Sequence, residues 1–363
     1  MAGSPVEEQL SAALGEAALD VLEEAMASDA FEKAVLVTDR DDIAARVPHG
    51  VEIDRDRGPF HFGQRLAAVI RAHQIERPLY VGAGAVPLLR GSDLAAIAGH
   101  LRQEQDIVIS NNYFSADMVA FTPGSVVDKI DLPETDNFLP RLLHDQAGLE
   151  SRPLPRSPET QFNLDSPADL VILKVAGGGG SNLAAFVGGL DLRTEPYERL
   201  SKLLVDAKAE VLLAGRVGSQ VWPYLESATA CRFRVYSEER GMRAAGRDTS
   251  GEARSLLAFH LREVGCERFF AEFAELADAA CIDTRPLLAH LGIRASREDR
   301  FLSDLGRPDG IEDAFLGEFT QAANDAPIPV LLGGHSLISG GLMLLNEAAW
   351  REEDKRILGE RSP

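Results

Sequence analysis

Pro78-Leu-Tyr-Val-Gly-Ala-Gly-Ala-Val-Pro-Leu-Leu-Arg-Gly-Ser-Asp-Leu94 is the stretch that decides the fold class. Leu79, Tyr80 and Val81 form a short apolar run of strand formers. Gly82, Ala83, Gly84 and Ala85 follow, small enough to let the backbone approach another group closely. Pro87 ends the strand, and Ser92 is suited to cap a helix beginning at Asp93. A buried strand that runs through a small-residue loop into a helix is the ligand-facing corner of an open α/β sheet. A tight turn with nothing bound satisfies the same residues.

The pattern repeats outward from this stretch. Val6, Leu10, Leu14, Ala17, Val21 and Leu22 recur at helical spacing over residues 6–26. Strands are expected at 34–38, 51–53, 79–81 and 106–110, with helices between them at 42–46, 64–73 and 93–103. Strands alternating with helices through short links predict a mostly parallel sheet covered on both faces. A further strand is expected within 113–122. Gly177-Gly-Gly-Gly-Ser181 then reads as a linker. The chain is long for a single core, so two α/β domains are expected, 1–180 and 181–363.

The second half opens with a helix at 197–207. Glu210-Val-Leu-Leu-Ala214 is a strand entering Gly215-Arg-Val-Gly-Ser219, and Arg232-Phe-Arg-Val-Tyr236 is a strand entering Ser237-Glu-Glu-Arg-Gly-Met242. Helices are expected at 253–264 and 267–280. Pro329-Val-Leu-Leu332 runs into Gly333-Gly-His-Ser-Leu-Ile-Ser-Gly-Gly341 before a last helix. Each of the three strands thus ends in a loop rich in glycine or charge. If the three are parallel neighbours, Arg216, Glu238, Arg240 and His335 converge on one pocket. Ion pairs are expected among Asp278, Asp283, Arg285, Asp299, Arg300 and Asp304. Trp222 and Trp350 read as core or interface aromatics.

A formal net charge of −20 argues against a nucleic-acid or anionic-membrane surface. It leaves room for a nucleotide or phosphorylated small molecule, because backbone N–H groups bind phosphate even on an acidic protein. Cys231, Cys266 and Cys281 are too widely spaced for a zinc knuckle, and a reduced, cytoplasmic protein is the simple expectation. No apolar run reaches the roughly 20 residues of a membrane span. Nothing in the sequence speaks against a homo-oligomer.

The order strand, helix, "YVGAGAVPLL", strand, then "FNLDSPADL" resembles the MobA-like nucleotidyltransferases, the molybdenum-cofactor and phospholactate guanylyltransferase type. The resemblance covers roughly residues 1–175. It implies a Rossmann-like, GT-A-type sheet and transfer of a nucleotidyl group from a triphosphate to a phosphorylated acceptor, with Mg2+. The late motif is Asn163-Leu-Asp165-Ser-Pro167-Ala-Asp169-Leu170, in which Asp165 matches a catalytic, metal-holding position. By the same resemblance Gly82, Gly84 and Ala85 face the nucleotide, and Asn111 and Asn112 lie towards the acceptor. Ala85 stands where the family carries a metal-binding aspartate, and a methyl group cannot ligate Mg2+. No Lys or Arg precedes Lys33, where the family has a triphosphate cradle. A non-catalytic binding or scaffold protein, or an activity residing in the C-terminal domain, is therefore carried beside the transferase reading. Residue by residue the local alternatives are turn glycines at 82 and 84, turn asparagines at 111 and 112, a helix-dipole role for Asp165 and a capping role for Asp169.

Overall fold

A computed structural model describes residues 3–359, apart from 57, 220 and 244. It is an α/β protein of two compact units, and neither unit is a single run of chain. One comprises Ala13–Gln161 with Gly179–Leu183. The other comprises the described residues of Met1–Ala12, Phe162–Gly178 and Ala184–Pro363. They are called the N-terminal and C-terminal units below. The division differs from a single cut at 180, since the segment carrying Asp165 and Asp169 packs with the C-terminal half of the chain.

In the N-terminal unit, β1 (Ala34–Thr38) and β2 (Val51–Arg55) form a parallel pair. A second sheet holds β3 (Leu79–Val81), β4 (Ile107–Ser110), β5 (Met118–Thr122) and β6 (Glu150–Pro153), in the order β3-β5-β4-β6. This sheet is mixed, against the expectation of a mostly parallel one. β5 runs antiparallel to both β3 and β4, and only β6 is parallel to β4. The cause is the short link 111–117, which allows β5 to fold back on β4 but leaves no room for a crossover. Alternation then supplies two cores. Val108, Val119 and Phe121 pack with Phe62, Ile70 and Leu143, while Ile107, Ile109 and Met118 pack with Leu94, Ile97 and Leu101.

The helix after β3 starts earlier than read. It spans Gly91–Gln103, its cap is Arg90, and the Asp93 carboxylate accepts the Arg90 N–H at 2.9 Å. The residues just after the glycine run at 177–180 are anchored within the N-terminal unit. The Asp20 carboxylate, itself buried, accepts the N–H groups of Asn182 and Leu183, both at 2.9 Å.

In the C-terminal unit, β7 (Glu210–Gly215), β8 (Arg232–Ser237), β9 (Ala279–Asp283) and β10 (Val330–Gly333) are all parallel, in the order β10-β9-β7-β8. β9 begins inside the helix expected over 267–280 and runs past its end, and it separates β7 from β10. One face of the sheet, through Leu212, Ala214, Ala280, Ile282 and Leu332, packs on an aromatic layer of Phe269, Phe270, Phe273 and Phe319. From β7 the chain crosses to β8 on one side and then to β9 on the other. The order therefore reverses between β7 and β9, the place at which an open parallel sheet is expected to receive a ligand. No single helix among the described residues is long and apolar enough to cross a membrane.

Candidate functional site

The β7 loop begins at Gly215, where the backbone φ is +114° and a Cβ would lie 2.6 Å from Asp283 Cβ and 2.9 Å from Asp283 O. Glycine is required here twice over, for conformation and for space. It lets the end of β7 abut the end of β9, so Arg216 meets Asp283 at once. Arg216 Nε donates to Asp283 Oδ2 at 2.5 Å and Nη2 donates to Oδ1 at 3.1 Å. Burial would raise the Asp283 carboxyl, but Arg216, helped by Arg285, holds it below its ordinary value.

One turn on, Arg285 donates to Asp304 through Nη1 at 2.9 Å and Nη2 at 2.6 Å. Burial works against the guanidinium, and Asp304 more than restores its charge. Arg300 lies close enough to Arg285 to be lowered by it, after the larger effect of its own burial. The expected ion pairs in this region are thus specific: Asp283 with Arg216, and Asp304 with Arg285. Asp299 and Asp278 instead accept backbone N–H groups, those of Glu312 and Asp313 and that of Glu210.

The third wall comes from the loop after β10. Ser336 Oγ donates to the Asn163 carbonyl at 3.0 Å, which ties this loop to the segment leading into the helix Pro167–Ala176. At that helix start Asp169 is buried, and its Oδ2 accepts the N–H groups of Asp165 and Ser166 at 2.9 and 2.8 Å. Asp169 therefore acts as the cap that its spacing suggests. Burial first, and the charge of Asp165 second, push its carboxyl up to about 8.

Asp165 and His335 face each other's field across this loop. Both residues are exposed, within a densely packed surround. Desolvation pushes the Asp165 carboxyl up, against the pull of His335, Arg216, Arg243 and Arg285. Desolvation first and Arg216 second push His335 down, against the pull of Asp283 and Asp165. The ring is also held by Ser339, whose Oγ lies 3.2 Å from Nδ1 and donates to the His335 carbonyl at 2.7 Å.

Arg240 and Arg243 lie on the loop after β8. Both are exposed, and neither has an ion-pair partner among the described residues. Glu239 fixes that loop. Its φ is +52°, its carboxylate takes Arg247 Nε and Nη2 at 2.9 and 2.8 Å, and it accepts the Arg254 N–H at 2.9 Å. A neighbouring pocket of about 480 Å³ is lined by Val217, Ser219, Trp222, Val235 and Arg240 among others.

Of the residues expected to share a C-terminal pocket, Arg216, Arg240 and His335 lie on loops that follow β7, β8 and β10 at one sheet edge, and the two arginines act on His335 electrostatically. Glu238 is diverted: it accepts from the Ser255 hydroxyl at 2.5 Å and from the Leu256 N–H at 3.0 Å, at the start of the helix Leu256–Val264. Asp165, expected in an N-terminal nucleotide site, belongs with these residues instead. Asp283, Arg285 and Arg243 were not singled out for the pocket; an aspartate closing an unrecognised strand was the available signal.

The N-terminal expectations fare differently. Gly84 and Ala85 are buried, Ala85 within the apolar cluster around Leu94 and Met118, so neither can face a nucleotide. Their smallness serves packing. A Cβ at Gly82 would lie 3.1 Å from Tyr80 Oη and 3.3 Å from Asp117 O, an internal contact. Asn111 is buried, and its Oδ1 accepts from Asp117 and Met118 N–H, both at 3.2 Å; Asn112 Oδ1 accepts from Phe114 N–H at 3.1 Å. The side-chain oxygens of both asparagines brace the β4–β5 turn. His61 caps the helix Phe62–His73 through Gln64 N–H, and Arg65 pairs with Asp54 at 2.6 Å.

The Mg2+ implied by the resemblance does not fit the surroundings of Asp165. His335, Arg216, Arg243 and Arg285 act on its charge, Asp283 and Asp304 are taken by guanidinium groups, and Asp169, beside it, is taken by backbone N–H. Such a setting repels a divalent cation and attracts an anion. No group of three or more His, Cys, Asp or Glu side chains suited to a metal occurs among the described residues. Comparison of the sequence with protein-family models and with curated proteins finds no match.

Proposed function

We propose that the C-terminal unit binds a small phosphorylated molecule at the carboxyl edge of its parallel sheet, with Asp165 and His335 placed to exchange protons with it. The observation that carries this reading is the concentration of cationic side chains at this edge, His335, Arg216, Arg243 and Arg285 acting on the exposed Asp165 and Arg240 acting on His335, on a chain whose net charge is −20. Free guanidinium groups at a sheet's carboxyl edge are the usual recognition elements for phosphate. Arg216 and Arg285 are committed to internal pairs and set the potential. Arg240 and Arg243 remain available to a ligand. Desolvation moves the aspartate up and the histidine down from their ordinary values, and a carboxyl and an imidazole are both groups that exchange protons with a ligand.

Nucleotidyl transfer by the N-terminal unit draws less support, because the small-residue loop there is turned into the core and its asparagines are occupied. The reading adopted is thus the one that places the chemistry in the C-terminal half. Calorimetric titration with inorganic phosphate, ribose 5-phosphate and nucleoside phosphates tests it. At least one is expected to bind, and the double variant Arg240→Ala/Arg243→Ala should weaken it by tenfold or more while the fold is retained, as charge-assisted bonds of about 1.5–3 kcal/mol each imply. Equal affinity in variant and wild type would remove the proposal.

A further inference from the structure

The geometry points to a nucleotide as the ligand, with its base on Trp222 in the pocket beside the arginine cluster; this rests on the anion site proposed above and adds a second subsite to it. Trp222 begins the second residue of the helix Val221–Ala228 and is 38% exposed. Its ring stacks on no aromatic side chain or cation among the described residues. Trp350 is a useful contrast: its Nε1–H donates to the Ala228 carbonyl at 2.7 Å, so it is a structural aromatic. Trp222 offers an unused π-face at the rim of an open cavity.

The other walls suit a planar, weakly polar group. Val217 and Val235 supply apolar surface, and the pocket, at about 480 Å³, lies within the range of about 300–1,000 Å³ typical of small-ligand sites. The exposed Ser219 hydroxyl is available on the same wall, whereas Ser237 Oγ already donates to the Val217 carbonyl at 2.9 Å. Arg240 lines this pocket and supplies a guanidinium at its wall, and it acts on His335 electrostatically. Val217 follows Arg216 directly in the loop after β7. A ligand filling both subsites therefore has an aromatic ring at one end and an anionic group at the other, separated by a polar linker. A nucleoside phosphate has that layout. A sugar phosphate lacks the ring, and a free nucleoside lacks the charge.

The test uses the full chain carrying Trp350→Phe, which leaves Trp222 as the one tryptophan and its fluorescence as the readout. It is titrated separately with the four common nucleoside monophosphates, ribose 5-phosphate and inorganic phosphate. At least one nucleotide is expected to quench Trp222 and to bind about tenfold tighter than ribose 5-phosphate, the gain typical of one stacked base. Calorimetry with Trp222→Ala should erase that gain and leave ribose 5-phosphate binding unchanged, and Trp222→Phe should recover part of it. Equal binding of nucleotides and ribose 5-phosphate, or an equal loss of both in Trp222→Ala, overturns the base subsite and leaves the anion site standing. Failure of every phosphorylated probe to bind overturns the anion site itself.

Discussion

Asp283→Ala is expected to lower the free energy of unfolding by about 3–5 kcal/mol, the cost of stranding one member of a buried ion pair. The Asp283 side chain is 0% exposed, and Arg216 is 18% exposed on its side of the pair. Removing the carboxylate leaves Arg216 without its two bonds and also frees the Arg285 N–H, which donates to Asp283 Oδ1 at 3.2 Å. Equilibrium unfolding in urea at neutral pH measures the loss. The double variant Asp283→Leu/Arg216→Met should be more stable than the single one, because two apolar side chains avoid the stranded charge. An exposed pair gives the contrast. Glu353→Ala breaks the bond to Arg356 on the surface, where water screens the interaction, and should leave the unfolding midpoint unmoved. A midpoint for Asp283→Ala as little changed as that of Glu353→Ala would mean that the pair at the β7–β9 switch is solvated, and the site would lose its electrostatic frame.

Much of the fold was legible because strands announce themselves locally. The runs at 34–38 and 79–81 match β1 and β3, and those at 210–214, 232–236 and 329–332 match β7, β8 and β10 to within a residue at each end. β9 was hidden by composition. Ala279, Ala280 and Cys281 follow the helix Cys266–Leu276 closely, and alanine favours helix wherever packing does not decide otherwise. Here packing decides, since every residue of β9 is buried between β7 and β10. Glycine and charge after β7 and β10 marked Arg216 and His335 as candidates, and the loops that carry them do follow strands of one parallel sheet. The place of Asp165 was not readable, because the contact that brings its segment to the β10 loop, Ser336 to Asn163, joins residues 173 positions apart. Local periodicity carries no information about such pairs. The small-residue loop after β3 misled for a related reason: Gly84 and Ala85 look the same in sequence whether their smallness admits a ligand or a core.

Stability should fall as pH rises from about 4 to about 8, in a component that belongs to Asp169. Its carboxyl, ordinarily near 3.8, is pushed to about 8 in the folded protein. Below the ordinary value both folded and unfolded chains hold the proton, so the group favours neither. Between the two values the folded state keeps a proton that the unfolded state has released, and each step upward in pH favours unfolding. Above about 8 both states are ionised and the effect levels off. The full loss is on the order of several kcal/mol. Other groups act in different windows or with opposite sign. Asp283, held below its ordinary value, contributes stability that is lost only at lower pH. His335, pushed down, contributes a rise with pH just below its ordinary value. The comparison of Asp169→Asn with wild type isolates the component. Asparagine retains an oxygen for the N–H groups of Asp165 and Ser166 and cannot ionise, so its stability curve should lack the decline and lie above that of wild type at about pH 8. Asp165→Asn removes the neighbouring charge, the second cause of the shift, and should move the decline to lower pH. Urea unfolding at intervals across this range reads all three curves. Parallel curves for wild type and Asp169→Asn would show that Asp169 is ionised in the folded protein, with its burial met by groups other than those described, and the helix start beneath Asp165 would carry one more negative charge than the site has been given.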